Sequence, residues 1–468
     1  MPYELNFLAL YPMLAVMASF VISMMVGWAV GATGTGNQKS WIRRATILTG
    51  WVLPFVLFVF TVLTFSVNVP YWDDYDAILS YLLYPMPDRM KHLFAFHNEH
   101  RIMFVRLVVE VVYAIRDVFD FRLMIYLGNT LFLIYVLCVW YRFKQYGTQA
   151  KKWFMPAAWA LLSILMYENT LWALTAVHSN AVLLFAWLSL LCLERKREKN
   201  IGWFLLSLFF AFLCTYTSGS GLFIWFCMAG MLLKQRFLDF TTEEEKQRPR
   251  VEWVVKLMFL SLIAMGSIGF YLSGFKGAGE SPLTVFLRNP FGICAYGIMF
   301  CGAALHFPFL AFPAGLCVVG LVVVFILRVP RIRDNVVFFY LCFLLCAIGS
   351  AALFRGADSG VIQALSSRYR IIAVSVLICS GLLAYEQFGC FFRWDMRFAY
   401  TGVTVFIVFL NISASLLAYP LLQAKCRSRV EGIKKWPEDN SGLIYPDRGK
   451  ASRILLESVQ CGSYFPPR

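Results

Sequence analysis

The feature that most constrains this chain is a recurring apolar run of membrane-crossing length. Ala45–Val67 is the first clear example, and similar runs return at intervals as far as Phe398–Tyr419. About 30 Å of hydrocarbon requires roughly 20 apolar residues in a helix, because only a helix or a closed barrel satisfies its own backbone there. Across 468 residues, 60% are hydrophobic and 17% aromatic, values a soluble protein rarely shows. The fold class read from this pattern is all-α, a polytopic transmembrane bundle. The net charge of +15 does not point to nucleic acid, since the basic residues fall in short loops between apolar runs rather than in one patch. They leave cations available to lipid head groups and lipid-linked phosphate.

Those loops orient the spans. Phe7–Ala32 reads as a retained first span, because no basic stretch precedes it and it is too long for a signal-peptide core. Lys39, Arg43 and Arg44 then mark a cytoplasmic loop, so Ala45–Val67 exits outward. A large outer loop, 68–121, follows. Within it Met103–Ile115 reads as a short interfacial amphipathic helix, with Arg106 and Glu110 at i,i+4. Further spans are expected at 123–143, 153–166, 177–193, 201–216, 222–233, 253–275, 309–327, 336–353, 370–388 and 398–419. Ser218-Gly219-Ser220-Gly221 reads as a tight outer turn. Pro282–Phe307, broken by Arg288, Asn289 and Pro290, reads as interfacial or re-entrant. A full span there would put the Arg328–Arg333 loop outside. The count is roughly 12 spans. Residues 1–419 then form one membrane domain, and 420–468 a short polar tail on the outer side.

Thirteen cysteines lie mostly within apolar runs, with no Cys-x-x-Cys pair and no Cys/His metal spacing. Cys426 and Cys461 sit in the tail, either paired or as two free thiols. No metal and no bound cofactor are expected. Neither an internal repeat nor a low-complexity segment appears, which weighs against an inverted-repeat transporter.

The topology brings four polar segments to the outer face: Trp72-Asp73-Asp74-Tyr75-Asp76, His97-Asn98-Glu99-His100-Arg101, Tyr167-Glu168-Asn169 with His178, and Ser366-Ser367-Arg368-Tyr369-Arg370. Acids at the mouth of a greasy helix are costly unless they have work or partners. Together these segments suit transfer of a group from a lipid phosphate to a hydroxyl. Asp73 or Asp74 would take the acceptor proton as general base, with Asp76, Glu99 and Glu168 in support. Arg368, Arg370, Arg101, His97 and His100 would hold the leaving phosphate. Trp72, Tyr75 and Tyr369 would contact the sugar. Each segment also has a purely structural reading: the aspartates as a solvated helix N-terminus, His97 and Arg101 as an i,i+4 surface pair, Glu168 as a helix cap, the serine–glycine run as a turn, and His178 and His306 as core histidines.

Pro70-Tyr-Trp-Asp-Asp-Tyr-Asp76, His97-Asn-Glu-His-Arg-Ile102 and Ser367-Arg-Tyr369 resemble the GT-C membrane glycosyltransferases. The nearest likeness is to bacterial enzymes that decorate O-antigen, such as the phage-type glucosyltransferases. The resemblance implies a hexose, glucose above all, moved from an undecaprenyl-phosphate donor to a lipid-linked or periplasmic glycan such as lipopolysaccharide O-antigen, at the periplasmic face of the bacterial inner membrane. It implies Asp73 or Asp74 as the first-loop acid, Asp76 as its support, and phosphate-binding cations among Arg368, Arg370, His97, His100 and Arg101. The chain departs from the pattern by the extra span at 7–32 and by a short tail in place of a large soluble domain. The rival reading is a transporter or flippase for a lipid-linked saccharide, which would line a path through the spans with charges. Most spans here carry none.

Overall fold

A computed structural model describes residues 36–194, 201–237, 250–275, 282–305, 307–356, 360–388 and 396–467. The expected span at 7–32, the charged loop at 195–199 and His306 lie outside them. The described chain is an all-α membrane bundle. Seven helices are long and apolar enough to cross a membrane: Phe121–Gln145, Ala173–Glu194, Trp253–Leu272, Pro308–Leu327, Asn335–Arg355, Ser367–Phe388 and Gly402–Lys435. Gly50–Phe65, Ile201–Thr215 and Pro290–Cys301 are shorter apolar helices.

Helix α1 (Gly36–Phe65) contains Pro54, which cannot donate to the carbonyl four residues back. That carbonyl, on Gly50, instead accepts from the indole Nε1 of Trp159 at 3.1 Å. After α1 the large loop carries α2 (Met86–His92), a two-residue ribbon of β1 (Phe96–His97) and β2 (His100–Arg101), and α3 (Met103–Arg116). The amphipathic α3 lies where the sequence placed it, but Arg106 and Glu110 do not pair with each other. Arg106 donates to the carbonyls of His92, Leu93 and Ala95, while Glu110 meets Arg89 at 3.4 Å. The guanidinium of Arg106 thus finishes the carbonyl end of α2.

Helices α4 (Phe121–Gln145), α5 (Thr148–Leu161), α6 (Ala173–Glu194), α7 (Ile201–Thr215) and α8 (Phe223–Phe237) follow. Asp120 caps α4 by accepting from Arg122 N at 2.9 Å. Gly128 of α4 lies against the Ala176 backbone of α6, and a Cβ there would come within 2.6 Å of it. Small residues allow such close crossings in membranes. Between α7 and α8 the serine–glycine run is a tight turn, as expected, and Gly221 sits so close to the Cys214 carbonyl that no side chain fits.

Next come α9 (Arg250–Leu272), α10 (Pro282–Arg288), α11 (Pro290–Cys301), α12 (Pro308–Leu327), α13 (Asn335–Arg355) and α14 (Ser367–Phe388). The segment at 282–307 is broken at Asn289, whose side chain caps α11 through Gly292 N at 2.9 Å. At 7 and 12 residues, neither α10 nor α11 reaches across 30 Å of hydrocarbon alone.

The last long helix, α15 (Met396–Lys435), has 40 residues and runs well past the span expected to end at Tyr419, with Pro420 inside it. At 1.5 Å per residue it is about 60 Å long, roughly twice the hydrocarbon thickness. The tail then folds back. Trp72 N donates to Ile444 O at 3.0 Å, Phe119 N to Ser463 O at 2.8 Å, and Tyr464 Oη to Asn68 O at 2.8 Å. The tail, with α16 (Arg448–Gln460), therefore straps both roots of the large loop. Cys426 and Cys461 are free; Cys426 Sγ leans on Phe65 O at 3.3 Å and Cys461 Sγ on Ser463 Oγ at 3.2 Å.

At the end of the bundle opposite the large loop, charges are matched. Arg142 donates to Glu194 through two nitrogens, each at 2.8 Å, and to Asp334 at 2.7 Å through Nε. Tyr146 Oη donates to Asp334 at 2.6 Å, and Glu386 accepts from Asp334 N at 3.2 Å. Asp334 also caps α13 through Val337 N at 2.9 Å.

Candidate functional site at the large-loop end

The acidic motif opens on Trp72, whose φ of 50° places it in the left-handed region. Asp74, Tyr75 and Asp76 then enter a short helical segment, Tyr75–Leu79, which buries Tyr75 and Ala77 and leaves Asp73 half-buried. The three aspartates therefore have different fates. Asp74 is 1% exposed. Its Oδ1 accepts from Trp172 Nε1 and Leu174 N, both at 3.1 Å, and its Oδ2 from Tyr71 N at 3.0 Å. Leu174 lies in the first turn of α6, so Asp74 caps that helix from across the loop. Burial pushes its carboxyl up to about 7, against the pull of these N–H donors and the Arg429 charge. Asp74 was one of two candidate bases; its lone pairs are instead committed to structure.

Asp76 meets Lys450 Nζ at 2.8 Å and accepts from Tyr445 Oη, so it anchors the tail. That bond to Asp76 holds the Lys450 ammonium above its usual range. Tyr75, expected to contact sugar, is 1% exposed and packs at 5.4 Å on Tyr445. Trp72 remains an exposed ring. Of the three aspartates, Asp73 is the uncommitted one. No hydrogen bond to its carboxylate forms among the described residues, and its charge is the strongest acting on His97.

His97 to Arg101 is not a helical face. Asn98, with φ of 50°, turns the chain, and Phe96 pairs with Arg101 and His97 with His100 across the ribbon. The i,i+4 relation of His97 and Arg101 therefore has no meaning here. Arg101, expected to hold phosphate, donates to the carbonyls of Tyr271 (2.9 Å), Phe94 and Ser273, and lies 4.1 Å from the Phe96 ring centre. It pins the ribbon to α9. Glu99 is exposed at the turn. Burial holds both His97 and His100 below the usual imidazole range, with Asp73 opposing the shift at His97 and Glu99 at His100. His100 Nδ1 and His178 Nε2 are both enclosed without a partner among the described residues, their rings 5.7 Å apart.

Glu168 adopts the capping role. It accepts from Arg368 N at 3.2 Å, Ser366 Oγ at 3.2 Å and Ser367 Oγ, which closes the N-terminus of α14. Arg370 is buried and donates to the carbonyls of Leu165 at 3.2 Å and Leu365 at 3.1 Å, a bracing role rather than an anion-binding one. Arg368 remains half-buried, with its guanidinium carbon 5.1 Å from the Tyr369 ring centre and its enclosed Nε without a partner among the described residues.

One residue was missed in the sequence. Arg355, at the end of α13, donates to Tyr369 Oη and lies 5.6 Å from that ring. Its charge reaches His100. It ends a candidate span on the same side as Arg368, beside the Ser366–Arg370 segment. The site is thus a line: Asp73, His97, His100 with His178, Arg355, Tyr369, Arg368. No ion pair joins Asp73 to Arg368 among the described residues. No three His, Cys, Asp or Glu side chains converge as metal ligands would among those residues.

No protein-family model, curated protein or solved structure matches this chain.

Proposed function

We propose that this protein is a GT-C-type glycosyltransferase of the bacterial inner membrane. It moves a hexose, glucose in the first instance, from a polyprenyl-phosphate donor to a lipid-linked or periplasmic surface glycan such as O-antigen, with roughly 12 spans and the large loop on the periplasmic side. The observation that carries the reading is the division among the acids. Asp74, Asp76 and Glu168 are all committed to N–H, ammonium or hydroxyl partners, whereas Asp73 is not. An uncommitted, half-buried carboxylate on the same polar line as two guanidinium groups, Arg355 and Arg368, suits acid–base work on a phosphate-bearing substrate.

The transfer runs in one displacement. The acceptor hydroxyl oxygen bonds to the anomeric carbon as that carbon's bond to the phosphate oxygen breaks, and the hydroxyl proton passes to Asp73. The phosphate that leaves gains negative charge, and Arg355 and Arg368 stabilise it. His100 and His178 offer ring nitrogens to sugar hydroxyls.

The test is sugar transfer by purified protein with a polyprenyl-phosphate hexose. Asp73→Asn is expected to lower the rate by about 100- to 10,000-fold, the usual worth of a general base, at unchanged thermal stability. Full activity of Asp73→Asn removes the proposed base. Vesicles that move the lipid-linked saccharide without any covalent product decide for the flippase.

A further inference from the structure

The extended end of α15 carries a second cationic feature. Leu417 and Leu421 are 67% and 63% exposed; Lys425, one turn further on, is exposed as well, and Arg429, a turn beyond it, has rotated onto the packed side of the helix. An apolar stripe of this kind faces lipid acyl chains, so the two cations lie one and two turns beyond it, at head-group level. The depth agrees with the packing, since Tyr419 and Leu422 cluster with Phe65, the last residue of α1.

The two cations are not equivalent. Lys425 Nζ lies 4.5 Å from the Tyr167 ring centre and 3.0 Å from its hydroxyl, an ordinary interfacial lysine. Arg429 is 8% exposed, with its guanidinium carbon 3.7 Å from the Tyr71 ring centre. Its Nε is enclosed with no acceptor among the described residues. The neighbouring acids are occupied: Asp74 by three N–H donors, and Glu431 by Arg427 at 3.4 Å. A guanidinium so far withdrawn from water is costly without an acceptor, and its planar fork matches two oxygens of one phosphate.

We infer that Arg429 and Lys425, backed by Tyr71 and Tyr167, form a binding site for the phosphate monoester of a membrane lipid, separate from the Asp73-to-Arg368 line. The aromatic rings fix the depth and plane of the guanidinium, and Lys425 adds a mobile point charge at the rim. The site does not depend on the sugar-transfer reading, because it is measured by binding without turnover.

The experiment is native mass spectrometry of the detergent-purified full chain, with phosphatidic acid as the probe and diacylglycerol as the same lipid lacking phosphate. Wild type is expected to retain one phosphatidic acid and to release diacylglycerol. Arg429→Gln and Lys425→Gln should each weaken retention about tenfold or more, as loss of a charge-assisted contact does. Arg368→Gln should leave it unchanged. If Arg429→Gln does not fold, the exposed Lys425→Gln decides. Undiminished retention in the Lys425 variant, equal retention of diacylglycerol, or loss in Arg368→Gln overturns the assignment. Displacement by inorganic phosphate at equal concentration assigns the site to a soluble anion and overturns the lipid-borne ligand.

Discussion

The two ends of the bundle handle buried charge in opposite ways. Opposite the large loop, Arg142 faces Glu194 and Asp334 directly, and Asp334, Tyr146 and Glu386 extend a closed network of matched charges. At the large-loop end ion pairs also form, Arg89 with Glu110, Arg122 with Asp120 and Lys450 with Asp76, but several other charged groups there rest on different partners. Arg101, Arg106 and Arg370 brace backbone carbonyls, Arg355, Arg368 and Arg429 lean on tyrosine rings, and Asp74 and Glu168 cap helices. A matched network has little reason to attract an outside ion. Guanidinium groups resting on tyrosine rings keep their full charge, and an incoming anion meets them without displacing a carboxylate. One end is built to hold together, and the other has cations to offer.

Breaking the matched end should have the largest effect. Arg142→Met leaves Asp334 and Glu194 without their counter-ion, and removing one partner of a buried pair costs about 3–5 kcal/mol. Thermal unfolding in detergent reads this directly. An unchanged midpoint contradicts a tightly closed network.

The pH response of Asp74 sharpens the contrast. Its folded value of about 7 lies above the ordinary 3.8. Between these values the folded chain holds a proton that the unfolded chain has released. The contribution is therefore full below about pH 4 and is lost as pH rises through 7, by at most about 1.4 kcal/mol per pH unit. Unfolding followed from pH 4 to pH 8 should show this slope in wild type and lose it in Asp74→Asn. A parallel slope in both assigns it to other groups.

Smaller still is the effect of the other cap. Glu168→Ala should destabilise by about 1 kcal/mol, the usual cost of a lost N-cap, with hydrogen exchange rising first at the start of α14. The smallest is Asp76→Asn, which loosens the tail from the loop. The partly exposed Asp76–Lys450 pair contributes about 1 kcal/mol or less and is screened by salt, so limited proteolysis near Tyr445 should rise while the midpoint barely moves.

Much of the bundle was legible in the chain because the lipid solvent leaves few choices. The apolar runs, the break at Asn289–Pro290, the α3 amphipathic helix and the turn at Ser218–Gly221 are local consequences of hydrophobicity, proline and glycine. What failed was local reasoning about charge. His97 and Arg101 were read at helical spacing, but the positive φ of Asn98 turned them into a ribbon. Arg106 and Glu110 had the spacing of a pair, yet each found a better partner across the loop. The segment beyond Pro420 read as tail because it is polar, yet it continues α15, since an interior proline breaks one hydrogen bond without ending a helix that is packed on both sides.

The sequence by itself determined that this chain is an all-α bundle for a membrane, and that its charges gather in the loops between apolar runs. Those properties follow from summed hydrophobicity and from charge counted loop by loop. Only the tertiary structure decided which charges are committed and which stay open. Asp73 and Asp74 are neighbours of the same type, and no rule of spacing separates them. One turns into the core and meets two N–H donors from a distant segment besides that of Tyr71 close by, and the other does not. Partners of that kind are supplied by chain folded back from about a hundred residues away, which neither composition nor periodicity encodes.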